Sequence, residues 1–192
     1  MARHSRDDDA LGFSLIDLLA TLAVFATMSA AAVPLMQKSL DSFRLGMAAR
    51  NVERELQAAR LAAVSSNQPM RVRFNCPATG QYRIVELIGT PSVPATDDGN
   101  SQAATRCGYP YPASDRNPLT RPNHDGPIQR LDTTVSFGST QTIEFWPDGT
   151  AHASAATNPW PVIGTAGVTL TLTKGSTTKS IAVNGVGKIQ LQ

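Results

Sequence analysis

Asp17 is the residue of this 192-residue chain whose surroundings most constrain its chemistry. It sits in an apolar segment, five residues after Gly12 and directly before Leu18–Met36, 19 consecutive uncharged and mostly apolar residues. A carboxylate at bilayer depth costs about 2.5–3.5 kcal/mol, so one placed there marks a function and needs a cationic partner. The segment offers no Lys or Arg on the same face. A cut after Gly12 would create an α-amine at Phe13, one helical turn from Asp17. That amine can pair with a carboxylate of its own chain or of a neighbouring one.

Other groups capable of chemistry are sparse. Cys76 and Cys107 lie 31 apart, without a CxxC pair or a His at ligand spacing. They are one disulfide if the region is exported, or two buried thiols if it is not; two cysteines do not make a zinc site, and no metal is expected. His4, His124 and His152 are scattered and read as surface histidines. Asp97-Asp98-Gly99-Asn100 reads as a solvated turn, since a Ca²⁺ site needs further fixed oxygen ligands. No nucleophile elbow, zincin helix, Walker loop or dinucleotide fingerprint is present, so neither an enzyme nor a cofactor is expected. Lys174, Lys179 and Lys188 fall near the C-terminus with no acid among them, and are candidate contacts for DNA phosphates, which Arg71, Arg73 and Arg83 would extend if they share the face. Arginines alternating along a strand normally mark a solvated face, and the net charge is only +2. Bulk charge therefore does not make this a nucleic-acid binder.

The elements that must position these groups change character along the chain. As a helix, Leu18–Met36 spans about 28 Å, close to the hydrocarbon thickness of a bilayer. The leader carries Arg3 and Arg6 against Asp7, Asp8 and Asp9, which is unlike the basic start of a cleaved secretory signal. Beyond Met36, Leu40, Phe43, Met47, Val52, Leu56, Ala59 and Ala63 mark one stripe of a continuing amphipathic helix. Ser65-Ser66-Asn67-Gln68-Pro69 ends it. The period then changes to two: Met70, Val72 and Phe74 open a hairpin with Tyr82, Ile84 and Glu86. Residues 89–130 read as a long variable loop and a candidate contact surface. Strands return at Thr134–Phe137, Thr142–Phe145, Val168–Thr173, Lys179–Val183 and Lys188–Leu191, with Asn184-Gly185 as a strong hairpin signal. The fold class is α+β: a long N-terminal α-helix, membrane-spanning in its first half, packed against an antiparallel sheet of six or seven strands. Charged residues are only 17% of the chain, against about 25% in typical domains, which argues against a disordered protein.

Gly12-Phe13-Ser14-Leu15-Ile16-Asp17-Leu18-Leu19 resembles the prepilin motif of type IV pilins and type II secretion pseudopilins, written G-F-T-L-I-E-L-L. Three looser segments resemble the GspH/FimT branch of that family. They are Ala49-Arg50-Asn51 with Glu55-Leu56-Gln57-Ala58-Ala59-Arg60-Leu61-Ala62-Ala63, the turn Phe145-Trp146-Pro147-Asp148-Gly149-Thr150-Ala151 against F-x-P-D-G, and the closing Ile181–Ile189 hairpin. The resemblance implies cleavage after Gly12 by a prepilin peptidase, N-methylation of Phe13, and Asp17 as the assembly carboxylate. Asp in place of the family's Glu is one methylene shorter, and the acidic leader also departs from the family pattern.

The resemblance further implies a leader over 1–12, a transmembrane segment over 13–37, an amphipathic continuation over 38–66 and a periplasmic β-rich head over 67–192. An oxidising periplasm favours the Cys76–Cys107 disulfide. The expected function is a minor pilin in the priming or tip complex of a type IV pilus. The alternatives are a minor pseudopilin of a type II secretion system and a DNA-binding minor pilin for uptake. Expected partners are other minor and major pilins or pseudopilins, the prepilin peptidase, the inner-membrane platform and, in the last reading, DNA.

Overall fold

The computed structural model describes residues 14–94, Cys107 and 125–192. The chain divides into two compact units, Met1–Leu40 and Asp41–Gln192, and one helix, α1 (Leu15–Ser66), contributes to both. Gly12 and Phe13 lie outside the described residues, as do His4, His124, the Asp97–Asn100 turn and most of the 89–130 loop.

In the first unit the Ser14 carbonyl accepts the amides of Asp17 and Leu18 and so opens α1. Serine suits the position before a helix, and an acid in the first turn suits the helix's positive end. Asp17 is the acid there. The apolar side chains that follow are exposed on every side, from Leu15 at 76% through Phe25 and Met28 at 67%. Among the described residues no helix is long and apolar enough to cross a membrane. The expected spanning segment includes position 13 and the side chains at 31, 34 and 35, which lie outside those described.

In the second unit α1 becomes one-sided. Leu45, Ala48, Ala49, Val52, Leu56, Ala59 and Ala63 form the buried stripe. Its upper part differs from the stripe expected from sequence, because Leu40, Phe43 and Met47 are exposed. Both sets recur at spacings of three and four, so periodicity alone does not choose between the two faces. Small alanines take the face that lies against a sheet. The helix ends where Asn67 adopts φ 54°, a left-handed residue that cannot continue it, with the Ser66 hydroxyl donating to the Ala62 carbonyl at 2.7 Å.

Among the described residues nine strands follow, all antiparallel: β1 (Met70–Phe74), β2 (Gln81–Glu86), β3 (Gln129–Arg130), β4 (Ser136–Ser139), β5 (Ile143–Phe145), β6 (Ala151–Ala153), β7 (Val168–Lys174), β8 (Thr177–Val183) and β9 (Ile189–Leu191). They form two sheets, ordered β3-β2-β1-β5-β6 and β4-β7-β8-β9, not the single sheet expected. The two strands not foreseen, β3 and β6, are two and three residues long, too short to show a period. Register places Met70 beside Phe145, and Val72 between Ile84 and Ile143. In the second sheet Leu170 faces Ile181. These side chains join the buried stripe of α1 in one core. Phe74, Tyr82 and Phe137 carry that core across from one sheet to the other, with ring centroids 5.2–6.3 Å apart.

The other face of the five-stranded sheet corrects a second expectation. Arg71, Arg73 and Arg83 are not solvated; each is at most 1% exposed. Arg71 donates Nε–H to Glu144 Oε2 at 2.6 Å, and the second carboxylate oxygen accepts from the Trp146 indole. The Arg71 guanidinium lies 3.8 Å from the centre of the Trp160 ring. Arg83 donates to the Gly126 carbonyl, with Asp125 at 3.5 Å. His152, expected at the surface, is buried: its Nδ1 bonds the Trp160 carbonyl at 2.7 Å and its ring stacks on Trp146. Register sets Arg71 beside Glu144 and Glu144 beside His152, so a row of charge crosses three strands beneath two tryptophans.

Cys76, in the β1–β2 connection, is bonded to Cys107 with a Cα–Cα distance of 5.0 Å. This ties the segment between β2 and β3 to the first hairpin.

Two outcomes follow from this packing. Leu56→Ala, at a fully buried position, should cost about 2–5 kcal/mol in denaturant unfolding, whereas Leu61→Ala on the exposed face should stay within about 0.5 kcal/mol. Equal losses would contradict the assigned face. Glu144→Gln strands the Arg71 charge and should cost about 3–5 kcal/mol. The paired change Arg71→Met with Glu144→Leu should recover most of that loss, and a Glu144→Gln variant as stable as the parent would refute the buried pair.

Candidate functional site

Asp17 occupies the third position of α1, its amide bonded to the Ser14 carbonyl at 3.0 Å. It therefore lies within the first turn of the helix. The helix holds the carboxylate at the start of the exposed apolar segment.

The three candidate DNA contacts do not form one patch. Lys174 is buried at the end of β7, where Nζ donates to Thr134 Oγ1 at 2.5 Å and pairs with Asp41 at 3.1 Å. Asp132 stands nearby, its carboxyl held below the usual range first by hydrogen bonds from Thr134 and then by the Arg44 and Lys174 charges. The Lys174 charge is thus spent inside the protein. Lys179 is opposite Leu172 in the β7–β8 ladder, on the face that carries the core. Lys188 is exposed in the turn before β9, beside Asn184. Lys188 is level with Asn184, five positions along the chain from Lys179, so the last two lie about 17 Å apart along the strand direction. Arg71, Arg73 and Arg83 add nothing to such a surface, being buried.

What the structure does bring together are the three family-like segments of the head. Arg60, on the last turns of α1, donates Nε–H to the Gly149 carbonyl at 3.2 Å and Nη2–H to the Val186 carbonyl at 3.1 Å. Gly149 belongs to the β5–β6 turn. There Asp148 Oδ1 accepts from the Thr150 amide and hydroxyl, contacts that lower its pKa, and Gly149 N–H bonds the Trp146 carbonyl. Val186 belongs to the closing hairpin, where Asn184 N–H bonds the Lys188 carbonyl and Asn184 Oδ1 accepts the Lys188 amide. Gly187 is obligatory at this meeting point: its φ is +71°, and a Cβ there would overlap the Gly149 carbonyl and come within 2.6 Å of Arg60 Nε. Gly185 lets the same hairpin reach the other sheet, accepting the Ala151 amide at 2.9 Å.

The sequence singled out each of these segments, but not the guanidinium that joins them. Its signal was a basic residue nearly two turns from a helix end, which is ordinarily a solvated position. Deeper in the head, burial with the Glu55 charge nearby pushes the Tyr82 hydroxyl up to about 12, so it stays neutral.

Comparison with known proteins follows this geometry. The family model described as Type II transport protein GspH matches residues 48–187, from the buried stripe of α1 to Gly187. No match is found among curated proteins. Among solved structures the chain is similar to the type IV minor pilin FimU of Pseudomonas aeruginosa in one crystal form, at 14% identity and a TM-score of 0.45, covering 79% of this chain and 90% of that one. It is similar to FimU in a second crystal form at 14% identity and a TM-score of 0.42, covering 77% and 92%. It is similar to the minor pseudopilin EpsH of the Vibrio cholerae type 2 secretion system at 12% identity and a TM-score of 0.44, covering 78% and 96%. Assignment rests on the family model, which takes in most of the chain and all three segments that meet at Arg60. The chain belongs to the GspH family, described as Type II transport protein GspH.

Proposed function

We propose that this protein is a minor pilin of a type IV pilus, working in the priming or tip complex. In this reading prepilin peptidase cuts after Gly12 and the new terminus at Phe13 is methylated. Residues 13–37 hold the chain in the inner membrane and the head stands in the periplasm. The observation that carries the reading is the apolar surface of α1. Leu15, Ile16, Phe25, Met28 and Met36 are all at least 67% exposed. Burying one such side chain is worth about 1.5–3 kcal/mol, so this surface calls for lipid first and the helices of neighbouring pilins later. Asp17 then supplies the one charge in its first turn. Its partner is the terminal amine of the same or an adjacent subunit, and the low dielectric around the pair makes register between subunits selective. The inner-membrane platform and the other minor and major pilins are the partners of this step.

The type II secretion reading is favoured by the description attached to the matching family, Type II transport protein GspH. The same residues would then act in a pseudopilus. Deletion separates the two: loss of surface pili with secretion intact supports the pilus, and the converse supports the secretion system. The proposal expects Asp17→Ala to abolish filament function in vivo, with Asp17→Glu restoring it, and the intact mass of the parent to begin at methylated Phe13. Full function in Asp17→Ala, or a mass retaining residues 1–12 beside an active peptidase, would refute it.

A further inference from the structure

The four-stranded sheet ends on an edge whose hydrogen-bonding groups can be assigned from the ladder. Ser180 and Gln192 exchange both bonds, Ser180 N–H to Gln192 O and Gln192 N–H to Ser180 O. Pairs alternate along an antiparallel ladder. Ala182 with Gln190 is therefore the next bonded pair, and Ile181 with Leu191 and Val183 with Ile189 are the non-bonded ones. The N–H and C=O of Ile189 and Leu191 consequently point away from β8. Among the described residues none of these four groups has a partner.

Beside this edge lies a cleft of about 460 Å³, walled by Gln57, Arg60, Leu61 and Val64 of α1 and by the Gly187–Ile189 segment. Leu61 and Val64 are on the face of α1 turned away from the core, 69% and 50% exposed. The charged residues of the wall are Arg60 and Lys188, both cationic. Arg60 is held by two carbonyls, and among the described residues neither cation is paired with a carboxylate. An open edge offers main-chain affinity, apolar side chains next to it read alternate residues of an added strand, and uncompensated cations select its charge.

We propose that the β9 edge and this cleft receive an extended peptide segment of a partner protein, which adds a fifth strand to the sheet. The segment is apolar at alternate positions, filling the cleft over Leu61 and Val64, and carries a carboxylate for Arg60 and Lys188. The inference uses only the head and stands whether the filament is a pilus or a pseudopilus. Its failure would leave the membrane and Asp17 reading untouched.

The test uses the whole chain in detergent and a capped octapeptide of alternating valine and threonine with a glutamate at each end. Amide exchange at Ile189 and Leu191 should slow by about tenfold or more at saturation. Leu61→Glu, at an exposed position, should weaken peptide binding by at least about tenfold. Leu191→Pro should do the same through loss of an N–H outside the ladder. Because Leu191 also packs against the core, it is compared with Leu191→Ala, which trims the side chain, keeps the N–H and should bind more tightly than the proline variant. Unchanged exchange at both amides with millimolar peptide would overturn the proposal. So would equal binding of a control octapeptide with lysine in place of each terminal glutamate, or protection of these amides by a single-stranded oligonucleotide instead of the peptide.

Discussion

One guanidinium closes the head. Arg60 brings the end of α1, the β5–β6 turn and the closing hairpin to a single point through two carbonyls on different sheets. Hydrogen bonds from a charged donor contribute about 1.5–3 kcal/mol each, which is modest beside the apolar core. Their importance lies in geometry. The core holds helix and sheets together by area, which tolerates sliding. The Arg60 bonds fix where along the helix the turns must sit. Gly187 is a consequence of that approach, since a side chain there would meet the Gly149 carbonyl and Arg60, whereas Gly185 is crowded by Val162 and the Ile163 carbonyl.

The central strands of the five-stranded sheet, β1, β2 and β5, are covered on both faces. One side takes the stripe of leucine, valine and alanine from α1, and the other takes Arg71, Arg73, Arg83, Glu144 and His152 under Trp146 and Trp160. A buried ion pair of this kind adds little net stability over an apolar replacement. It does penalise any shift of β1 against β5, because a slip of one residue would turn Arg71 into the apolar core and strand the Glu144 carboxylate. Charge on one side and methyl groups on the other give this sheet a single register. The head is thereby a rigid support for whatever its edges and clefts contact.

Much of this was legible in the sequence because the periods are strong. The helix over Leu15–Ser66, its stop at Asn67, the first hairpin and the last three strands follow from spacing and turn residues. What was illegible depended on partners distant in the chain. Arg71 and Arg73 alternate as solvent-facing residues do, yet both are buried, Arg71 beneath Trp160, nearly ninety positions later. The choice between the Phe43–Met47 face and the Leu45–Ala49 face of α1 was set by the sheet that packs there. Among the candidate site residues, Asp17 and the cysteines were legible from type and context. Lys174 was misread because its acceptors, Asp41 and Thr134, are brought to it only by the fold.

The head thus becomes a fixed body through a junction that the family-like segments share. The most direct test is native-state hydrogen exchange in Arg60→Met, which keeps the aliphatic stem and removes both donors. If Arg60 ties the turns to the helix, the amides of Gly149 and Gly187, one in each turn, should lose protection together and by similar factors. The β1–β2 ladder should be unchanged. Loosening of one turn alone, or no change in either, would contradict the junction.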